Sequence, residues 1–110
     1  MPAKNINVAE LKDLMAKNEV CLIDVREVAE HSVASIPGSV LIPLSEFSSN
    51  KIPQFGDKKL VIHCRSGKRS LTACEKFLEE NPNAEVYNLE GGIIAWDLMG
   101  GEVKKSDVFF

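Results

Sequence analysis

The chain has 110 residues, of which 45% are hydrophobic and 26% charged, a composition ordinary for a globular protein with one core. Its formal net charge of −3 argues against nucleic acid as the main partner. The uncharged apolar runs are too short to cross a bilayer, and the charges scattered through positions 1–20 leave no secretory signal. We therefore expect a cytoplasmic protein that acts without a membrane or a nucleic acid.

The predicted elements alternate between helices and short buried strands. Asn7 followed by Glu10 has the pattern of a capping box, which predicts a helix from about Val8 to Asn18. A continuous apolar run then predicts a buried strand over 20–25. The remaining elements are a short polar helix, a turn, a short strand, one helical turn, a second buried strand, a long helix, a third strand and a last helix, over residues 27–34, 37–38, 40–42, 43–48, 58–63, 68–80, 85–89 and 93–99.

This alternation predicts an α/β fold in which helices cover both faces of a parallel sheet. Open sheets of this kind bind ligands at the carboxyl ends of their strands. Cys64 directly follows the strand predicted over 58–63, so it lies at such an end. No repeat or composition change marks a second domain, and the tail over 102–110 has no predicted structure.

The three cysteines are an odd number and contain no C-x-x-C pair, which suits neither a disulfide framework nor a zinc site. Cys21 lies inside an apolar run, and Cys74 is predicted to share the buried face of a helix with Leu71 and Phe77. We expect both thiols to be inert core residues. Only Cys64 combines charged neighbours with a break in structure beside it.

The sequence after Cys64 favours a reactive thiolate. Arg65, Lys68 and Arg69 follow within five residues, and a helix is predicted to begin there. Cations and the amides at a helix start both stabilise a thiolate, which is the form that attacks. Gly67 permits a positive φ, so successive amides can point inward around an anion. We expect the amides to contact the substrate, while Arg69 and Arg65 supply a positive field.

Phosphate and sulfane-sulfur compounds are both anions with an electrophilic centre. The loop resembles that of the protein tyrosine phosphatases, in which five residues separate the cysteine from an arginine. Here Arg69 is the fifth residue after Cys64 and Ser70 the sixth, so the spacing is one residue short. The guanidinium would then be misplaced for bidentate phosphate binding. A phosphatase or an arsenate reductase is therefore the less favoured hypothesis.

The chain resembles a single-domain rhodanese, or thiosulfate sulfurtransferase. Five segments carry the resemblance, namely LIDVRE at 22–27, EH at 30–31, IPGS at 36–39, CRSGKRS at 64–70 and LEGGIIAW at 89–96. The resemblance implies one rhodanese domain over 1–110, with a central parallel five-stranded sheet and helices on both faces. The family's sulfurtransferases have a six-residue loop, as here, and its phosphatase and arsenate reductase relatives have one residue more.

The same resemblance implies the functional residues. Cys64 accepts a sulfane sulfur as a persulfide, and the substrate-binding loop consists of Arg65, Ser66, Gly67, Lys68, Arg69 and Ser70. Asp24 and Arg26 match a pair that the family has at a strand end; Arg26 either orients and charges the site or forms a structural ion pair. The family usually has Gly-His-Ile-Pro-Gly-Ala where this chain has Ala-Ser-Ile-Pro-Gly-Ser at 34–39, which affects local packing more than chemistry.

Other conspicuous side chains have ordinary structural explanations. On a strand, His63 faces the side opposite to Cys64, so we expect a packed core residue rather than a base. We expect His31 at the surface and Trp96 in the core. The sequence contains no metal-ligand constellation, and the resemblance implies no cofactor besides the covalent persulfide.

Two classes of function remain. The first is a sulfurtransferase that takes sulfur from thiosulfate or another sulfane-sulfur anion and passes it to cyanide, a small thiol or a protein thiol. The second is a non-catalytic persulfide carrier or docking module that a protein partner loads. The enzyme assignment requires that the sulfur of Cys64 is ionised near neutral pH and is not sealed beneath packed side chains.

Overall fold

Helices and short strands alternate along residues 3–106, the range that the computed structural model describes. The strands are β1 (Lys4–Ile6), β2 (Val20–Asp24), β3 (Ala34–Ser35), β4 (Val40–Leu41), β5 (Lys59–His63), β6 (Tyr87–Leu89) and β7 (Lys104–Lys105). The α-helices are α1 (Val8–Ala16), α2 (Val28–Val33), α3 (Lys68–Glu80) and α4 (Gly92–Leu98). Single 3-10 turns lie at Leu44–Glu46 and Ser49–Lys51. Within this range no helix is both long and apolar enough to cross a membrane.

Five strands form one parallel sheet, in the spatial order β1-β6-β5-β2-β4. The long central pair, β2 and β5, is in a register that places Leu22 opposite Val61 and Asp24 opposite His63. β3 and β7 form a separate antiparallel pair. The parallel five-stranded sheet that the resemblance implies is therefore confirmed.

Side chains of the central strands alternate between two buried faces, as the period of a strand requires. Leu22 and Val61 pack in one cluster with α1 and α4, and this cluster contains Trp96, as predicted. Ile23 and Ile62 pack in the other cluster with α3. Helices thus cover both faces, which explains why these strands are continuously apolar in sequence.

The long predicted elements occur where the sequence places them. α3 has the predicted bounds of 68–80, and β2 and β5 are each one residue shorter than predicted. α1 begins at the predicted capping box, in which the amide of Glu10 donates to Asn7 Oδ1 at 2.8 Å, and it ends two residues earlier than predicted. Strong periodicity and a specific cap explain this agreement.

The sheet edge differs from the prediction. The sequence patterns do not predict β1, and they predict a strand over 85–89 where β6 covers only 87–89. Lys4 and Asn5 are exposed and only Ile6 is buried, so this edge strand has no apolar pattern to detect. Its position depends on pairing with β6.

One residue of α3 is on the wrong side in the prediction. Leu71 is 41% exposed and does not share the buried face with Cys74 and Phe77. Ser70 occupies that face instead, because it is spaced by four and seven residues from Cys74 and Phe77. The polar residue therefore points toward the core at the start of α3.

Part of the C-terminal tail is ordered against the body of the protein. Val103 packs against the cluster that contains Trp96, and β7 pairs with β3. The apolar end at 108–110 lies outside the described residues.

The strand order fixes where the predicted site residues meet. Because β2 and β5 are neighbours in parallel, residues just after Asp24 and just after His63 meet at the same edge of the sheet. β6 lies on the other side of β5 and leads into α4 at that edge. The segment between β5 and α3, which begins with Cys64, is thus bordered by the ends of two strands.

Candidate active site

The sulfur of Cys64 lies within a ring of hydrogen-bond donors. Gly67 has a φ of +113°, the left-handed conformation that the sequence predicts, and its amide donates to Cys64 Sγ at 3.1 Å. The hydroxyl of Ser70 lies 3.3 Å from the same sulfur. Backbone amides of Ser66 and Ser70 also point to it. The chain therefore bends around its own cysteine, and its amides at 66, 67 and 70 are directed at that thiol.

These donors change the acidity of Cys64. Burial by itself raises the pKa of this thiol, but hydrogen bonds from Ser70, Gly67 and Ser66 outweigh it and hold the pKa below its ordinary value. The other two cysteines show the opposite effect. Burial raises the pKa of Cys21, and it raises the pKa of Cys74 to about 12. Of the three thiols, only Cys64 is stabilised as a thiolate.

The start of α4 orients the loop from outside. The amide of Ile93 donates to the carbonyl oxygen of Cys64 at 3.0 Å, and that of Ile94 donates to the carbonyl oxygen of Arg65 at 3.2 Å. Gly92, with a φ of +60°, packs so closely that an added Cβ would overlap the carbonyl of Arg65. Because the carbonyl of Arg65 faces α4, the N–H of Ser66, which belongs to the same peptide group, is directed to the opposite side, where the sulfur lies. The sequence predicts Gly91-Gly92 only as a turn.

The cations of the loop differ in their surroundings. Arg65 and Lys68 are exposed. Arg69 instead forms a bidentate pair with Glu30 of α2, at 2.7 and 2.9 Å, and hydrogen bonding to this guanidinium lowers the pKa of Glu30 to about 2. Glu30 therefore compensates the charge of Arg69. The expected positive field of Arg69 is correspondingly reduced, and the main stabilisation of the thiolate comes from hydrogen-bond donors.

Asp24 and Arg26 form a buried ion pair beside the loop. Their exposed fractions are 0% and 4%, and Arg26 Nη2 lies 2.9 Å from Asp24 Oδ2. The same nitrogen donates to the carbonyl oxygen of Ala34 at 2.6 Å. Although burial raises the pKa of Asp24, its hydrogen bond to Arg26 and the neighbouring imidazoles of His63 and His31 leave that pKa below its ordinary value. These contacts favour the structural ion pair over a direct role at the sulfur.

Both histidines lie near the carboxylate of Asp24. His31 Nδ1 is 2.9 Å from Asp24 Oδ2, so His31 is half-buried and not the plain surface residue that we expected. His63 is fully buried, as expected, and its Nδ1 lies 3.3 Å from the carbonyl oxygen of Cys64. Burial lowers the pKa of His63. Among residues 3–106, its Nε2 is buried without a hydrogen-bond partner, 3.9 Å from Asp24.

One residue of the site is absent from the sequence interpretation. Asn88 of β6 is 7% exposed; its Oδ1 accepts a hydrogen bond from Ser70, and its Nδ2 donates to the carbonyl oxygen of Gly67 at 3.3 Å. A polar residue in a buried strand needs such partners, and this was the available signal. Which partners it finds depends on the pairing of β5 with β6.

Access to the sulfur is narrower than the sequence interpretation requires. Cys64 is 1% exposed, whereas its loop neighbours Arg65 and Ser66 are exposed. Cys64 belongs to the same buried cluster as Ile23 and Ile62, so packed side chains contribute to its burial. A reaction at Sγ requires that the loop admits the electrophile from the side of these exposed residues.

Comparisons with known proteins identify the fold and its relatives. Residues 7–98 match the family described as the rhodanese-like domain. The chain is 39% identical over 105 residues to YtwF of Bacillus subtilis, which is named as a candidate sulfurtransferase. The matched region covers 94% of this chain and 97% of that protein. It is 39% identical over 94 residues to a protein of Allochromatium vinosum named sulfurtransferase, with 83% and 85% covered. A crystal structure of a rhodanese-related protein from Thermoplasma volcanium, 33% identical, superimposes with a TM-score of 0.78 over 92% of this chain and 97% of that one.

Replacement of Gly92 by alanine tests the contact between α4 and the loop. We expect Gly92→Ala to lower the free energy of unfolding by at least about 3 kcal/mol, because the new Cβ overlaps backbone that cannot move away. Gly56→Ala is the matched control, since Gly56 has a φ of +55° with no atom within 4 Å of an added Cβ, and it costs roughly 1 kcal/mol. Urea unfolding measures both. Equal losses would show that the close approach is unimportant.

Removal of Arg26 tests its structural role. We expect Arg26→Met to lower the free energy of unfolding at neutral pH by about 3–5 kcal/mol, because the buried Asp24 is left without its cation. The loss shrinks at acidic pH as Asp24 takes up a proton, since a depressed folded-state pKa stabilises the fold only where the carboxylate is ionised. Lys4→Met, which removes an exposed pair with Glu85, serves as the control and costs less than about 1 kcal/mol. A loss for Arg26→Met no larger than this control contradicts the assignment.

Proposed function

The chain belongs to the family of rhodanese-like domains, and on that premise we propose that it is a sulfurtransferase that carries a sulfane sulfur from thiosulfate to a thiophilic acceptor on Cys64. The names of its relatives support the general class of sulfurtransferase. The observation that supports the specific chemistry is the ring of donors around Cys64 Sγ, because it supplies both a nucleophile and a place for an anion.

The first half of the proposed reaction loads the cysteine. The thiolate of Cys64 attacks the outer sulfur of thiosulfate, and a new S–S bond forms as the bond to the central sulfur breaks. The bonding pair leaves with the central sulfur as sulfite. The terminal sulfur of the persulfide carries the negative charge, and the inward N–H groups of the loop can stabilise it as they stabilise the thiolate.

The second half transfers the sulfur. An acceptor such as cyanide, a small thiolate or a protein thiolate attacks the outer sulfur of the persulfide, and the Cys64 thiolate leaves. The outer sulfur moves without its bonding pair in both halves, so no external oxidant or reductant is needed. Neither half demands a general base at the sulfur, and the proposed chemistry uses no resident cofactor.

The length of the loop supports sulfur transfer over phosphate transfer. In a loop made for phosphate, an arginine closes the ring and holds two phosphate oxygens. Here the last cation of the loop, Arg69, is engaged with Glu30 through both of its terminal nitrogens. A planar bidentate contact with a substrate oxyanion would require that this pair break.

The low exposure of Cys64 favours a second candidate function, that of a persulfide carrier. A side chain that is 1% exposed suits a persulfide carrier whose partner opens the loop on docking. In that case a protein persulfide loads Cys64, whereas free thiosulfate does not.

We further propose a reducing compartment such as the cytoplasm, since all three cysteines are free thiols.

Treatment with thiosulfate tests the proposal. Mass spectrometry of the folded protein should show the added mass of one sulfur atom on Cys64, and cyanide should remove it as thiocyanate. Cys64→Ser should lose the adduct, whereas Cys74→Ser should keep it, because Cys74 is buried with a pKa of about 12.

The carrier hypothesis makes a different prediction in the same assay. A carrier acquires the adduct from a protein persulfide but not from thiosulfate. Absence of an adduct on folded protein with either donor would defeat both forms of the proposal.

A further inference from the structure

Asn88 joins two parts of the sulfur site from a neighbouring strand. Its Nδ2 donates to the carbonyl oxygen of Gly67 at 3.3 Å. Because a carbonyl oxygen only accepts, this contact fixes the orientation of the amide and directs Oδ1 to Ser70. Asn88 and Ser70 are 7% and 0% exposed, so solvent does not supply alternative partners easily.

Ser70 has one hydroxyl hydrogen and two neighbours that can accept it. Oδ1 of Asn88 cannot donate, so in this arrangement the hydrogen of Ser70 is directed to Asn88. The oxygen of Ser70 then presents a lone pair to Cys64 Sγ, 3.3 Å away, where it can accept the S–H of a neutral thiol. A thiolate has no hydrogen to donate and instead requires the hydroxyl hydrogen for itself.

We propose that Asn88 is a positioning residue that competes with the sulfur of Cys64 for the single hydroxyl hydrogen of Ser70. In the neutral thiol the hydrogen bonds run from Cys64 to Ser70 to Asn88. In the thiolate the hydroxyl of Ser70 turns to the sulfur, and Oδ1 of Asn88 loses its donor.

This competition limits how strongly the site ionises Cys64. A buried acceptor that loses its partner is costly, so Asn88 opposes ionisation while Gly67 and the other amides favour it. Such a limit suits the chemistry, because the nucleophilicity of a thiolate falls as its pKa falls, and the best attacking thiol titrates near ambient pH. The inference rests on the proposed function only where it explains why a limit on ionisation is useful; the hydrogen-bond exchange itself does not depend on sulfur transfer.

The sign of one variant separates competition from support. If Asn88 competes for the hydrogen, Asn88→Leu leaves the sulfur as the sole acceptor for Ser70 and lowers the titration midpoint of Cys64 by about half to one pH unit. If Asn88 only holds the loop through Gly67, the same variant loosens the amides and raises the midpoint. The ultraviolet absorbance of the thiolate, corrected with Cys64→Ser, measures the midpoint without any sulfur donor.

A double-variant cycle shows whether the effect passes through Ser70. We expect Ser70→Ala to raise the midpoint, and Asn88→Leu to have no further lowering effect in that background. A midpoint that is unchanged or raised in Asn88→Leu overturns the proposal, as does an equal lowering in the two backgrounds. Because no thiosulfate is used, failure here is distinguishable from failure of the sulfurtransferase assignment.

Folding of the variants is checked by circular dichroism, and Asn88→Ala replaces Asn88→Leu if the latter does not fold. The wild-type protein provides a test that needs no variant of Asn88. The side-chain amide resonances of Asn88 should titrate with the midpoint of Cys64, and by a smaller amount in Ser70→Ala. Resonances that do not move with Cys64 in the wild type contradict the exchange.

Discussion

The orientation of the peptide groups in the loop after Cys64 is the constraint on which the site depends. N–H groups stabilise an ionised sulfur only if the carbonyl groups of the same segment face elsewhere. The first turn of α4 satisfies two of these carbonyls by donating hydrogen bonds to those of Cys64 and Arg65. This arrangement requires close contact between the start of α4 and the backbone of Cys64 and Arg65, which Gly92 permits because it has no Cβ. The loop, α3 and α4 therefore act as one unit.

Fixed dipoles do more than mobile charges in this site. Of the cations that make the loop conspicuous in sequence, Arg69 is compensated by Glu30, and Arg65 and Lys68 are exposed, where water and salt screen them. The amides and the hydroxyl of Ser70 contact the sulfur directly in a buried setting, where a hydrogen bond to an ionised group is strongest. An anion that reaches the sulfur meets the same donors.

Local signals in the sequence predict the elements and the nucleophile, whereas contacts across the sheet are not predictable from them. A capping box, apolar strands and a glycine at a required left-handed position are local patterns, and they locate α1, β2, β5, α3 and Gly67. Asn88 and Glu30 are distant from Cys64 along the chain. They join the site because β6 pairs with β5 and because α2 packs beside the start of α3, and a single sequence states neither fact. The polar edge strand β1 is missed for the same reason.

The salt dependence of the thiolate tests most directly whether hydrogen bonds, rather than exposed cations, ionise Cys64. The thiolate of the folded protein is titrated by its ultraviolet absorbance at low salt and at about 1 M salt, where charges beyond a few ångströms are screened. We expect a midpoint below the ordinary cysteine value that stays there at high salt and in Arg65→Gln/Lys68→Gln. A midpoint at the ordinary value, or one that returns to it when salt is added, would show that hydrogen bonds do not hold Cys64 ionised.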